Sequence, residues 1–73
     1  MKVLVTGGAG FIGANLVRAL SDGPDNDVVV IDDLSFGFRS NLNGLDATFI
    51  EGSILDEDLL ATAMEGVSSV VHL

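Results

Sequence analysis

The sequence predicts an α/β fold, with strands and helices alternating around a parallel sheet, and three observations carry that reading. The apolar run Val3-Leu4-Val5 leads straight into a glycine-rich segment, Thr6 to Gly13, reading TGGAGFIG. A helical pattern follows. A second run, Asp27 to Asp32 (DVVVID), is β-branched and ends on an acid. Strand, turn, helix and strand in that order is the unit from which parallel sheets are assembled, because two parallel strands need a crossover between them.

Residues 2–6 are predicted as the first strand. The glycines that follow satisfy G-x-x-G-x-x-G at positions 7, 10 and 13, and the Rossmann spacing G-x-G-x-x-G at 8, 10 and 13. An early glycine lets the chain reverse off the strand. Gly10 removes a side chain so that backbone can approach a phosphate, and Gly13 lets helix and strand pack closely. The free N–H groups of Phe11 and Ile12 then face an anion at the positive end of the helix. No Lys follows the glycines, so the phosphate loop G-x-x-x-x-G-K-[ST] is excluded.

The first helix is predicted over residues 11–21, with Ile12, Leu16, Ala19 and Leu20 as its apolar face and Gly13 and Val17 beside them. The second strand, 27–32, reads as one buried on both faces. Nineteen positions separate Gly13 from Asp32, close to the spacing at which an acid meets the adenosine ribose of a bound dinucleotide. A carboxylate there accepts hydrogen bonds from both ribose hydroxyls and repels a 2′-phosphate, which favours NAD over NADP. Arg39 is the reservation, since a nearby Arg is how such sites accommodate a 2′-phosphate. Seven positions beyond Asp32, it reads as a solvated loop charge.

Asp33 to Asp46 forms a long connection that leaves the carboxyl end of the second strand, where doubly wound sheets bind ligands. Spacing alone fits either a functional loop, with Asp33, Leu34, Ser35, Phe36 and Gly37 around an adenosine, or a flexible crossover punctuated by Gly37 and Asn43-Gly44. A third strand is expected at 47–51, a second helix at 56–65 and a fourth strand at 69–73. Asp56-Glu57-Asp58 reads as a helix cap with acids in the first turn rather than a metal cluster. His72, the one histidine, has no partner at ligand spacing and reads as a strand residue. The expected order is 3-2-1-4 with right-handed connections, an N-terminal part of a Rossmann-type sheet that stops after its fourth strand. Ser69 to Leu73 would then be an apolar edge that a fifth strand normally covers.

Composition narrows the function classes. The formal net charge of −8 leaves no basic stripe for a nucleic acid backbone, and Val3 through Val17 carries no charge at all. With no Cys, neither a disulfide nor a thiolate metal site is available, which is compatible with the cytosol. The apolar run at the start is too short for a signal peptide or a membrane span.

TGGAGFIG, VVVIDDLSFGFRSNL, FIEGSILD and VVHL together resemble the start of the extended short-chain dehydrogenase/reductase family, specifically its NAD-dependent epimerases and dehydratases of nucleotide sugars. The resemblance covers all 73 residues, and D-D-L-S-x-G looks most like UDP-glucose 4-epimerases. It implies that Gly7, Gly10, Phe11, Ile12 and Gly13 surround the pyrophosphate of NAD, Asp32 the ribose, and Asp33 to Gly37 the adenosine side, with Leu73 near the cofactor. Where the family commonly has G-D-I beside the adenine, this chain has Gly52-Ser53-Ile54, so the carboxylate contact is lost while Ser53 keeps a hydroxyl and Ile54 can still pack. The family takes its proton with a Tyr-x-x-x-Lys pair. This chain has no Tyr and its only Lys is Lys2, so no catalytic residue is expected here and the chain alone is expected to be inactive. The expected setting is a cytoplasmic parent enzyme, a homodimer acting on a nucleotide sugar, with no nucleic acid or membrane partner. A non-enzymatic dinucleotide sensor is the alternative from another class. A class I methyltransferase also uses a glycine loop and a strand-two acid, but TGGxGxxG argues against it.

Overall fold

The computed structural model describes residues 1–73. Strand β1 (Lys2–Thr6) is followed by helix α1 (Phe11–Ser21), β2 (Asp27–Asp32), a short 3-10 helix (Arg39–Leu42), β3 (Ala47–Glu51), α2 (Glu57–Ala63) and β4 (Ser69–His72). All pairings are parallel and the order is β3-β2-β1-β4, as the sequence predicts. No helix is long and apolar enough to cross a membrane.

The period of two along the central strands explains the layers. Val3 and Val5 of β1 and Val28 and Val30 of β2 point to one face, where Ala14 and Val17 of α1 and Leu42 of the 3-10 helix cover them. Leu4, Val29 and Ile31 point to the other, against Ala63 of α2 with Leu59 and Leu60 beside it. Both central strands are thus buried from two sides, which is why they lack polar alternation. The outer strands are less covered, and Val70 on β4 is 48% exposed.

Several expectations need correction. The buried stripe of α1 is Gly13, Ala14 and Val17, with Leu16 and Leu20 partly buried against the core, whereas Ile12 is 74% exposed and Ala19 is exposed. The helix is rotated from the face the pattern suggests because Gly13 has no side chain, so it can lie directly against the glycine turn. The connection from Asp33 to Asp46 is not a structureless crossover: it carries the 3-10 helix, and Leu42 roots it in the core. Helix α2 ends at Ala63 rather than residue 65, and Gly66 turns the chain at φ 72°. Strand β4 stops at His72, leaving Leu73 beyond it. The acids at 56–58 behave as expected: Asp56 Oδ1 accepts from the Leu59 N–H at 3.1 Å, and Glu57 and Asp58 occupy the first turn.

The Asp56 cap is exposed, so its removal isolates capping from packing. Asp56→Ala is expected to lower stability by about 1 kcal/mol, read by urea denaturation, and Glu57→Gln by a few tenths at most. Gly13→Ala tests the closest contact in the fold. Alanine is ordinarily the better helix former by about 1 kcal/mol. At Gly13 its Cβ would overlap the Gly7 carbonyl oxygen and lie 2.8 Å from Gly8 Cα, so the same denaturation experiment should show a net loss. That loss is expected at about 1–3 kcal/mol.

Candidate functional site

The turn between β1 and α1 is shaped by its glycines. Gly7 adopts φ 73°, the left-handed conformation that glycine takes without strain, and its N–H donates to Ile31 O at 2.9 Å. Gly10 is the N-cap of α1 with no side-chain cap, and α1 has no acid in its first turn. The amides of Phe11 and Ile12 have no protein acceptor. The positive end of the helix therefore opens outward uncompensated, an arrangement suited to an anion. A Cβ at Gly10 would meet only Gly7 O, at 3.6 Å, so the space in front of this turn is free.

A cleft of about 380 Å³ opens at the carboxyl edge of the sheet. Of the residues singled out in the sequence, it gathers Gly7, Gly10, Asp32, Asp33, Phe36, Ser53, Ile54 and Leu73, drawn from the ends of β1, β2 and β3 and from beyond β4. A second, more open recess of about 440 Å³ shares Gly7, Gly10 and Leu73 and adds Phe11, Ile12 and Gly13. Leu34, Ser35 and Gly37 line neither. Leu34 instead packs partly against the core in a left-handed conformation, φ 64°, and Ser35 closes a turn on Asp33. Gly37 is pressed onto the Ala9–Gly10 backbone, where a Cβ would lie 2.5 Å from Ala9 O.

Asp32 is occupied before any ligand arrives. Its Oδ2 accepts from the Ala9 N–H at 2.9 Å and its Oδ1 from the Leu34 N–H at 2.8 Å. Each oxygen keeps a further lone pair directed outward, so the carboxylate can still accept from hydroxyls. Beside it, hydrogen bonds from the Ser35 backbone N–H and then the Ser35 side chain hold Asp33 below the ordinary carboxylate range, with desolvation opposing weakly. Asp33 thus stays ionised at the rim of the cleft at neutral pH. Ser53 accepts from the Leu55 N–H at 3.0 Å, which leaves its hydroxyl proton free to donate. Arg39 is exposed in the loop, with its guanidinium over the Phe49 ring, 5.2 Å from the centroid.

Sequence reasoning passed over some participants. Thr6, buried at the end of β1, lies opposite His72 in register, with Thr6 Oγ1 2.7 Å from His72 Nδ1. The same oxygen accepts from the Leu73 N–H at 3.2 Å, tying the end of β4 to β1 at the floor of the cleft. Parallel pairing of the first and fourth strands, once the order is expected, is the signal that could have found this pair. Gly8 was read only as a motif position, yet a Cβ there would come within 2.6 Å of Val30. Nothing in spacing marks Asn41, whose Nδ2 donates to Ala9 O at 2.8 Å. No cluster of His, Cys, Asp and Glu is arranged to hold a metal ion.

The comparisons with known proteins agree with this geometry. In sequence, the chain is 44% identical over 77 residues to a low-salt glycan biosynthesis protein of Haloferax volcanii, aligning with 99% of this chain and 25% of that protein. It is 41% identical over 80 residues to a UDP-glucose 4-epimerase of Erwinia amylovora, with 99% and 23% covered. Among solved structures, a UDP-glucose 4-epimerase from Thermotoga maritima with UDP-glucose superposes at a TM-score of 0.87 and 43% identity, over 100% of this chain and 24% of that one. A dTDP-glucose 4,6-dehydratase from Bacillus anthracis in complex with NAD superposes at 0.89 and 31% identity, covering 100% and 26%. The chain spans about a quarter of the length of these relatives. The glycine turn, the acid ending β2 and the parallel order thus sit within one continuous match, residues 3–73, and the chain belongs to the NAD dependent epimerase/dehydratase family.

Proposed function

We propose that these 73 residues supply the NAD-binding part of a nucleotide-sugar epimerase or dehydratase, most like a UDP-glucose 4-epimerase. The observation that carries the reading is the uncapped α1 N-terminus facing a cleft whose far rim is the Asp32 carboxylate. The residues present fit the cofactor: a glycine turn at the helix start, free amides for a pyrophosphate, and an acid ending β2 nineteen positions beyond Gly13. Gly7, Gly10 and Gly13 would frame the pyrophosphate, with the Phe11 and Ile12 amides donating to it. Asp32 would accept from the ribose hydroxyls. Phe36 and Ile54 would flank the adenine, Ser53 would donate to its edge, and Asp33 would face the adenosine side, with Leu34, Ser35 and Gly37 supporting that rim from behind. Leu73 would border the nicotinamide half.

When bound, NAD supplies a hydride acceptor and donor for a sugar carbon. This chain's residues hold and orient it. They do not move the substrate's proton, since the chain has no Tyr and its only Lys is tied by Nζ to Glu65 O at 2.6 Å, at the opposite edge of the sheet. The UDP-glucose relative points to a nucleotide sugar as substrate of the whole protein, and a homodimer in the cytoplasm is the proposed setting.

Affinity for the two dinucleotides tests the assignment in the full-length protein. NAD is expected to bind more tightly than NADP by isothermal titration. Asp32→Ala should weaken NAD by about tenfold or more, the loss of a charge-assisted hydrogen bond of about 1.5–3 kcal/mol, and narrow the gap. It should also weaken NADP, because the Ala9 and Leu34 amides lose their acceptor. Equal affinities in the unmutated protein would contradict the role of Asp32 and require Arg39 to leave Phe49 for a phosphate.

The 73 residues assayed alone with NAD and UDP- or dTDP-sugars should stay at background. Turnover that survives repurification and disappears in Asp32→Ala would show that the chain carries its own catalytic group.

A further inference from the structure

The Ala9 peptide is fully buried and held from several sides by the segment that follows β2. Its N–H donates to Asp32, and its carbonyl accepts from the Phe38 N–H at 3.1 Å and from Asn41 Nδ2 at 2.8 Å. That carbonyl shares a peptide plane with the Gly10 N–H, so whatever fixes Ala9 O fixes how the chain enters Gly10 and the free amides of Phe11 and Ile12. The intrinsic hold on Gly10 is weak: its N–H reaches Gly7 O at 3.3 Å, and no side chain caps the helix.

We infer that Asn41 is a positioning residue for the anion-binding turn, its side-chain amide holding the Ala9–Gly10 peptide so that the Phe11 and Ile12 amides keep their place in the recess that adjoins the cleft. The inference rests on the dinucleotide reading above and names a residue that reading does not use. Asn41 is delivered by a rigid platform. Its own N–H donates to Phe38 O at 2.9 Å, its neighbour Leu42 is buried in the core, and Arg39 is stacked on Phe49. Gly37 lets this platform press against Ala9 without a side chain between them. The rim that carries Asp33 and Phe36 and the turn that faces the pyrophosphate are therefore one mechanical unit, joined at Ala9.

Asn41 itself is exposed, so its truncation leaves no cavity and separates positioning from folding. The test compares ADP and adenosine binding to the unmutated full-length protein and to Asn41→Ala, with amide chemical shifts of Gly10 and Phe11 recorded without ligand. Loss of one neutral hydrogen bond should weaken ADP by about threefold to tenfold. Adenosine should stay within about twofold, and the Gly10 and Phe11 signals should move. ADP affinity unchanged by the substitution, or ADP and adenosine weakened equally, would overturn the positioning role. An unmutated protein that binds no ADP would instead overturn the dinucleotide reading itself.

Discussion

The contact between Gly13 and the Gly7–Gly8 backbone is the constraint on which the rest of the arrangement depends. A Cβ at Gly13 would collide with the Gly7 carbonyl oxygen, so helix and turn touch backbone to backbone. This close approach sets the height of α1 above the sheet, and with it which residues it buries. Ala14 and Val17 become the covering layer over Val5 and Val30, while Phe11 and Ile12 are lifted into solvent. The same geometry points the first amides of the helix across the end of β1. The packing of α1 and the outward exposure of its first residues are consequences of one missing side chain.

Asp32, proposed above for ribose recognition, is also an architectural residue. A carboxylate ending a strand would normally be free in water, yet this one accepts from the amides of Ala9 and Leu34. It joins the glycine turn to the start of the next connection, and Leu34, in a conformation that costs a non-glycine residue roughly 1–2 kcal/mol, is held there by that bond and by its partial burial. The proposed ribose contact and the loop geometry cannot be altered separately at this position. On the other side of β1, Thr6 does comparable work by binding both His72 and Leu73, so the turn region after β1 is tied to β2 and the end of β1 to β4.

The elements themselves were legible because each rests on a local rule. Successive β-branched residues in β1 and β2 meet the demand of burial on two faces, and Asp56 before Leu59 is an N-cap at the right spacing. The cleft was legible at its glycines and at Asp32 because backbone freedom and a charged residue at a strand end are visible one position at a time. Asn41 was not visible, since an amide in a loop looks the same whether it faces solvent or a buried carbonyl thirty-two residues earlier. The contact of Arg39 was hidden for the same reason: Phe49 is distant in sequence and lies on a strand brought near by the parallel pairing of β2 and β3.

The sequence by itself determined the element order, the strand order β3-β2-β1-β4, the glycine turn and the acid opposite it, because periodicity, turn chemistry and right-handed crossovers leave few alternatives. The tertiary structure decided which side of α1 is buried, which loop residues reach the cleft, and where the N–H and the carbonyl of Ala9 find their partners. Those outcomes depend on how closely two backbones approach and on hydrogen bonds between segments far apart in the chain. No local pattern encodes them; a buried peptide group takes whichever partner the assembled fold places within reach.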